Sequence, residues 1–199
     1  MAKIPVDPYV IEYNKFKWLT QLGSGVVLEP GNKTPKEIKV PVKDAQKIVR
    51  SVVRLVLDLP RNSTPEVVWS LGDSELLIHS DNTRITCSSG VVIISVDVEC
   101  DQCDRTTIRA PIGVGTSKSP TGLVMSTFSD LEGPIAILDT WSDSIKAFAW
   151  ETLLEVASVV AAQVGKDSRG RALVPGNIGA SPGKLLIQPV ARHTLRVGA

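Results

Sequence analysis

The chain has 199 residues, of which 43% are hydrophobic, 22% charged and 5% aromatic, with a formal net charge of +1. That balance suffices for one buried core, and it excludes global disorder and a surface that is basic throughout. The longest apolar stretch, residues 145–164, is interrupted by Lys146, Glu151, Glu155 and Gln163, which makes it too polar for a membrane span.

Charge is segregated along the chain. Residues 1–54 carry ten Lys/Arg against five Asp/Glu, residues 55–165 carry six against fifteen, and residues 166–199 carry six against one. An acidic middle is flanked by two basic ends, which attract it either within one chain or between copies. Met1 to Asp7 lacks the apolar run of a signal peptide, and three cysteines fit a reducing compartment better than a disulfide framework. The expectation is a cytoplasmic protein.

In chain order, residues 1–17 read as a possible N-terminal arm and Trp18 to Glu29 as a hairpin bending at Gly23 or Gly25. Ile38 to Val42 reads as a short edge strand, because Pro41 has no N–H to give to a ladder. Residues 43–59 follow a helical period, with Ala45, Ile48, Val49, Val52, Leu55, Val56 and Leu59 on one face and Lys43, Lys47, Arg50 and Arg54 on the other. Pro60 ends that helix.

From Glu66 the period changes to two, and successive hairpins set apolar residues opposite apolar residues. A turn at Gly72-Asp73 sets Trp69 opposite Leu76 and Val67 opposite Ile78. A second turn at Asp81-Asn82 sets Ile78 opposite Ile85 and Leu76 opposite Cys87. A third at Ser89-Gly90 sets Cys87 opposite Val92 and Ile85 opposite Ile94. The next hairpin needs Cys100 opposite Asp104, so that Val98, Val96, Ile94 and Val92 face Thr106, Ile108, Ala110 and Ile112. Gly113 to Gly122 reads as a loop, and Leu123 to Phe128 and Pro134 to Leu138 as two further strands. Ser142 caps a helix running to Val164 and stopped by Gly165. Its apolar circumference is wide enough for either a central core helix or a subunit interface. After Gly165 only Lys184 to Val190 has the look of a strand, and residues 166–199 read as an extended basic arm.

Cys100-Asp101-Gln102-Cys103 is the one spacing that suggests a site. Two thiols in a hairpin loop make a zinc half-site (Cys100, Cys103), but a closed site needs four ligands, and Cys87 and His79 are badly placed to complete it. Cys87 belongs to the far end of its strand, and His79 falls opposite Arg84 on the outer face. The bland alternative is a pair of structural thiols, with Asp97, Glu99, Asp101 and Asp104 forming an acidic loop or an arm-docking patch. Gly176 to Lys184 and Gly113 to Lys118 fail as phosphate loops on glycine spacing, and the former leads into a strand where a helix N-terminus is needed. The two histidines, His79 and His193, lie near no recognisable nucleophile motif. The pattern leans against an enzyme and names no catalytic residue or cofactor.

The expected architecture is α+β: an N-terminal hairpin, an amphipathic helix, an antiparallel meander of about six or seven strands, a long hydrophobic helix and an extended C-terminal arm, with residues 1–165 as one domain. The order strand, helix, meander, long helix is similar to helix-grip lipid-binding folds, where the last helix lies across a curved sheet. That resemblance implies a pocket between the helix and Trp69, Ile78, Ile85, Ile94 and Ile108.

Three function classes follow. The first is a structural or assembly subunit, a homo-oligomer or part of a larger assembly, joined through the basic arms and the helix over 142–164, with Phe148, Trp150, Leu154, Val160, Arg169, Arg171 and Arg192 at the interface. The second is the helix-grip ligand-binding domain. The third is a nucleic-acid-binding accessory protein, using Lys43, Lys47, Arg50 and Arg54 on phosphates.

Overall fold

The computed structural model describes residues 2–5, 37–60, 62–116, 119–122, 129–167 and 169–191. In chain order the elements are β1 (Ala2–Pro5), β2 (Ile38–Pro41), α1 (Val42–Val56), β3 (Glu66–Leu71), β4 (Ser74–Ser88), β5 (Val91–Cys100), β6 (Cys103–Gly113), β7 (Gly115–Thr116), β8 (Ser119–Gly122), α2 (Ile135–Gln163), β9 (Leu173–Ser181) and β10 (Lys184–Ala191). They form an α+β fold with two five-stranded sheets, ordered β1-β3-β4-β5-β6 and β2-β10-β9-β8-β7. Pairing is antiparallel throughout except for β1, which runs parallel to β3. The hairpin expected over Trp18–Glu29 lies outside the described residues.

Among the described residues β2 is an edge strand paired only with β10, where the missing N–H of Pro41 costs no ladder bond. α1 follows at once and buries Ala45, Val49, Val52, Val53 and Val56. It closes with a Schellman motif: Leu59 N donates to Arg54 O at 2.8 Å and Asp58 N to Leu55 O at 3.0 Å, with Asp58 in the left-handed region at φ 49°. Leu55, grouped by periodicity with the apolar face, is instead 73% exposed.

The β3–β4 register has Trp69 opposite Leu76 and Val67 opposite Ile78, and across the Ser89-Gly90 turn Ile85 pairs with Ile94 and Cys87 with Val92, all as the alternation requires. The expected turn at Asp81-Asn82 does not form. β4 runs unbroken through it, and the ladder slips between His79, opposite Asp97, and Arg84, opposite Ser95. Five steps along β4 are matched by two along β5, and this odd surplus flips the side-chain parity. Ile78 and Ile85, seven positions apart, therefore both point into the core, at 0% and 1% exposure. Gln46 on α1 supports the irregular stretch: its Nε2 donates to Thr83 O at 2.8 Å, and its Oε1 accepts from Ile85 N at 2.9 Å.

α2 begins at Ile135, not Ser142, and the strand expected over Pro134 to Leu138 is part of this helix. The buried residues Ile137, Trp141, Ile145 and Phe148 recur at spacings of four, four and three. Five alternating residues were too few to reveal that period. The helix packs against β5 and β6 of the first sheet, β9 and β10 of the second, and α1. Fifteen of its 29 residues are buried, so it is a central helix gripped between the two sheets. Trp69 meets Trp141 with ring centroids 6.4 Å apart and the edge of Phe148 at 6.0 Å. Gly165 stops the helix at φ 95°.

The segment expected as an extended arm docks on its own chain. Leu173–Ser181 and Lys184–Ala191 form a hairpin whose outer strand pairs with β2. Its prolines and glycines disguise it. Pro175 faces Pro189 at a register slip, where ladder bonds are already lost, and Gly176 leaves the space that the Val190 side chain occupies. The two sheets meet at one corner, where Gly90 N donates to Ala180 O at 3.0 Å and Gly183 N to Cys87 O at 3.1 Å.

Candidate functional site

Antiparallel order sends the β3–β4 and β5–β6 turns to the same end of the first sheet, and the first turns of α2 arrive there too. Together Asp73, Ser74, Glu75, Cys100, Asp101, Gln102, Ala136, Thr140 and Trp141 line a cleft of about 160 Å3. Asp73, Glu75, Glu99, Asp101 and Asp104 are all exposed at this end, which makes it strongly acidic. Leu71 and Ile135, 39% and 74% exposed, stand on the same rim.

Within the β5–β6 turn the register differs by one residue from expectation. Val98 faces Thr106 and Asp97 faces Thr107 as predicted, but a slip beyond Val98 sets Cys100 opposite Cys103 in place of Asp104. Both thiols are free and half-buried against the core. Among the described residues no group of three or more His, Cys, Asp or Glu side chains is arranged to hold a metal ion. Cys87, at the opposite end of the sheet, is a half-buried thiol whose pKa desolvation pushes up to about 11.

His79 does not face Arg84. It sits on β4 between Glu66 of β3 and Asp97 of β5. It is 5% exposed, its Nδ1 is 3.3 Å from Glu66 Oε1, and its Nε2 is 3.7 Å from Glu99 Oε2, beyond hydrogen-bond reach. Asp97 is engaged elsewhere, accepting from Thr107 Oγ1 at 2.6 Å and pairing with Arg105 at 3.4 Å. The adjacent hydroxyl, Ser80 Oγ, donates to Pro65 O, so it is not aligned on the imidazole as a nucleophile would be.

The second charged surface lies on α1. Lys43, Lys47 and Arg50 are exposed, and Lys184 of the β9–β10 turn joins them, because it pairs with Pro41 immediately before the helix. The Lys47 ammonium donates to Asp44 at 2.8 Å, and this hydrogen bond holds the Asp44 carboxyl below its ordinary value. Arg54 turns away from the stripe to donate to Pro60 O and to Ser63 O and Oγ, at 3.2 and 3.1 Å for Ser63. Leu55 stands exposed beside this face, in helical line with Lys47 and Ser51.

The residues expected at a subunit interface divide differently. Phe148, Trp150, Leu154 and Val160 are 1%, 5%, 9% and 5% exposed within the single chain, so α2 is already covered at these four positions. Arg169 is exposed, whereas Arg171 binds Asp167 through Nε and Nη2, both at 2.7 Å. Arg192 lies outside the described residues. Of the pocket residues that the helix-grip resemblance implied, Trp69, Ile78, Ile85, Ile94 and Ile108 are each at most 1% exposed, and Trp69 stacks on the helix.

Sequence reading missed the His79 cluster, because it depends on the slip in β4. It also missed the Asp167 turn, although Asp-x-Arg-x-Arg just after a helix-ending glycine is a local signal for such a turn. Among the described residues no helix is long and apolar enough to cross a membrane. No family model matches the chain, and no curated protein matches its sequence.

Proposed function

We propose that the protein is a structural or assembly subunit whose copies associate head to tail, the acidic end of the first sheet of one copy against the basic α1 face of the next. The observation that carries this reading is the separation of the two charged faces. The acidic end begins at Asp73 and Glu75, while α1 is fixed to the same strand at Thr83 and Ile85 through Gln46. Counted along the ladder with β5, which shortens β4 by its slip, that is roughly 20 to 30 Å at ~3.3 Å per residue, more than twice the Debye length of about 8 Å at physiological salt. Exposed charges so far apart do not neutralise one another within one chain. Each face also carries exposed apolar side chains, Leu71 and Ile135 at the acidic end and Leu55 on α1. A charged rim around an apolar anchor is the composition of a protein–protein contact. A contact between two different faces of identical copies is heterologous, and it closes into a ring or continues as a filament.

Molar mass by light scattering, at low and high salt, tests this. Wild type is expected to self-associate at low salt and dissociate as salt rises. The triple reversal Lys43→Glu/Lys47→Glu/Arg50→Glu and the acidic-end variant Asp73→Lys/Asp101→Lys each remain monomeric, and mixing the two restores association. A monomer at every salt concentration and at high protein concentration overturns the reading.

A nucleic-acid-binding accessory role uses the same basic face, and the joining of Lys184 to the α1 stripe favours it as the second reading. It differs in outcome. Salt-sensitive affinity for DNA or RNA is then abolished by reversing Lys47 and Arg50, while the acidic-end variant binds as wild type does.

A further inference from the structure

Cys100 and Cys103 occupy directly opposed positions on β5 and β6, separated by the two-residue turn Asp101-Gln102. Opposed Cα atoms in an antiparallel pair lie about 4.5 to 5.5 Å apart, within the roughly 4.4 to 6.8 Å that a disulfide spans. Opposed residues also direct their side chains to the same face of the sheet, and both cysteines pack half-buried against the same core. The slip between Val98 and Cys100 brings this about, since in the uninterrupted register Cys100 would face Asp104. The two sulfurs are not equivalent. Cys100 lines the acidic cleft together with Asp73, Glu75, Asp101 and Trp141, whereas Cys103 is not among the cleft residues.

We propose that Cys100 and Cys103 are a redox-active dithiol that closes to a disulfide by exchange with small cationic disulfides admitted by the acidic cleft. Cys100 is the entry thiol and Cys103 the resolving one. In the first step the Cys100 thiolate attacks one sulfur of the small disulfide. A mixed disulfide forms on Cys100, the small S–S bond breaks, and one small thiolate leaves and takes up a proton. In the second step the Cys103 thiolate attacks the Cys100 sulfur. The Cys100–Cys103 bond forms, and the second small thiolate leaves. The protein loses two electrons and two thiol hydrogens, the small disulfide is reduced to two thiols, and excess small thiol reverses both steps. The carboxylates on the cleft select for positive charge on the incoming reagent. The third thiol takes no part, since Cys87 lies at the other end of the sheet and its burial holds it protonated.

The full-length reduced protein treated with cystamine, a dication, or with glutathione disulfide, an anion, provides the test, read by intact mass and by peptide mapping after alkylation. The expected wild-type product has two thiols lost, Cys100 linked to Cys103, no retained adduct, and Cys87 still alkylatable. Cys103→Ser retains one cysteamine on Cys100. Cys100→Ser reacts at Cys103 at least about tenfold more slowly, because that sulfur lacks the cleft. Cystamine reacts about tenfold faster than glutathione disulfide, and Asp73→Asn/Asp101→Asn erases that preference. Accumulation of a stable adduct on wild type without ring closure overturns the dithiol. Equal reactivity of the two single variants overturns the assignment of roles, and equal rates for the two reagents on wild type overturn the cationic selectivity.

Discussion

Gln46 takes the place of a strand where β4 leaves its ladder. Its amide carbonyl receives Ile85 N and its amide N–H reaches Thr83 O, which satisfies two backbone groups on the part of β4 that has run past the end of β3. Gln46→Leu keeps the volume but leaves both groups without a partner, at about 1 to 3 kcal/mol each, so urea unfolding is expected to show a loss of about 2 to 6 kcal/mol. Gln46→Glu retains the acceptor and loses the donor, and it is expected to fall between the two. Asp167 has a comparable local role after α2. Burial by itself would push its carboxyl up, but the N–H groups of Arg171 and Arg169 and the Arg171 guanidinium more than offset this and hold it below the ordinary carboxylate value. A lowered folded-state value makes the ionised form the stabilising one. Its contribution is present above about pH 4, the unfolded reference, and is lost as pH falls through the folded value. Thermal melts of wild type and Asp167→Asn are therefore expected to differ at pH 6 and to converge as pH drops below about 4.

At the scale of elements, the core is set by how closely the chain leading into α2 passes over the first sheet. A Cβ at Gly133 would collide with Ile108 Cδ1, and Ile108 is fully buried in the core. Gly133→Ala is expected to cost about 1 to 3 kcal/mol by overpacking. Ile108→Val removes the atom in the way, so the double variant should cost less than the two single variants together when denaturation midpoints are compared. The elements also show where sequence reading succeeds. α1, the edge position of β2 and the pairings of Trp69, Ile85 and Val92 follow from periodicity and from proline chemistry, because one solvent-facing side leaves a clear alternation. Three features were hidden, each for a stated reason. The β4 slip mimics a turn because Asp81-Asn82 is good turn sequence and both pairings put Ile78 and Ile85 inside. α2 starts on Ile135 and Ala136, exposed but apolar, after Pro134, which has no capping side chain, so nothing polar marks its first residues. β9 and β10 contain the very residues that normally interrupt strands. The acidic end was legible as charge, but the opposition of Cys100 to Cys103 was not, because a single-residue slip carries no compositional mark.

For the whole molecule, the segregated charge of the sequence becomes a separation in space. The basic tail was a candidate to cover the acidic middle, but β9 and β10 lie in the second sheet beside β2 and deliver Lys184 to the α1 face. The charge asymmetry among the described residues is thereby strengthened, and this is the asymmetry on which the proposed head-to-tail association rests.

The pairing of β2 with β10 bears on how the protein is made. β3 to β6 are neighbours in sequence and can zip up from local turns, but the partner of β2 follows only after all of β3 to β9. Closing so long a loop is entropically slow, and on a ribosome β2 waits for Lys184–Ala191 to emerge before its edge is paired. Pulse-labelled hydrogen exchange during refolding is expected to protect the amides of Ile94 and Ile108 before those of Val40 and Leu186, and simultaneous protection would contradict that order. A chain cut short before Lys184 is therefore expected to leave the edge of β2 without the strand that pairs with it here.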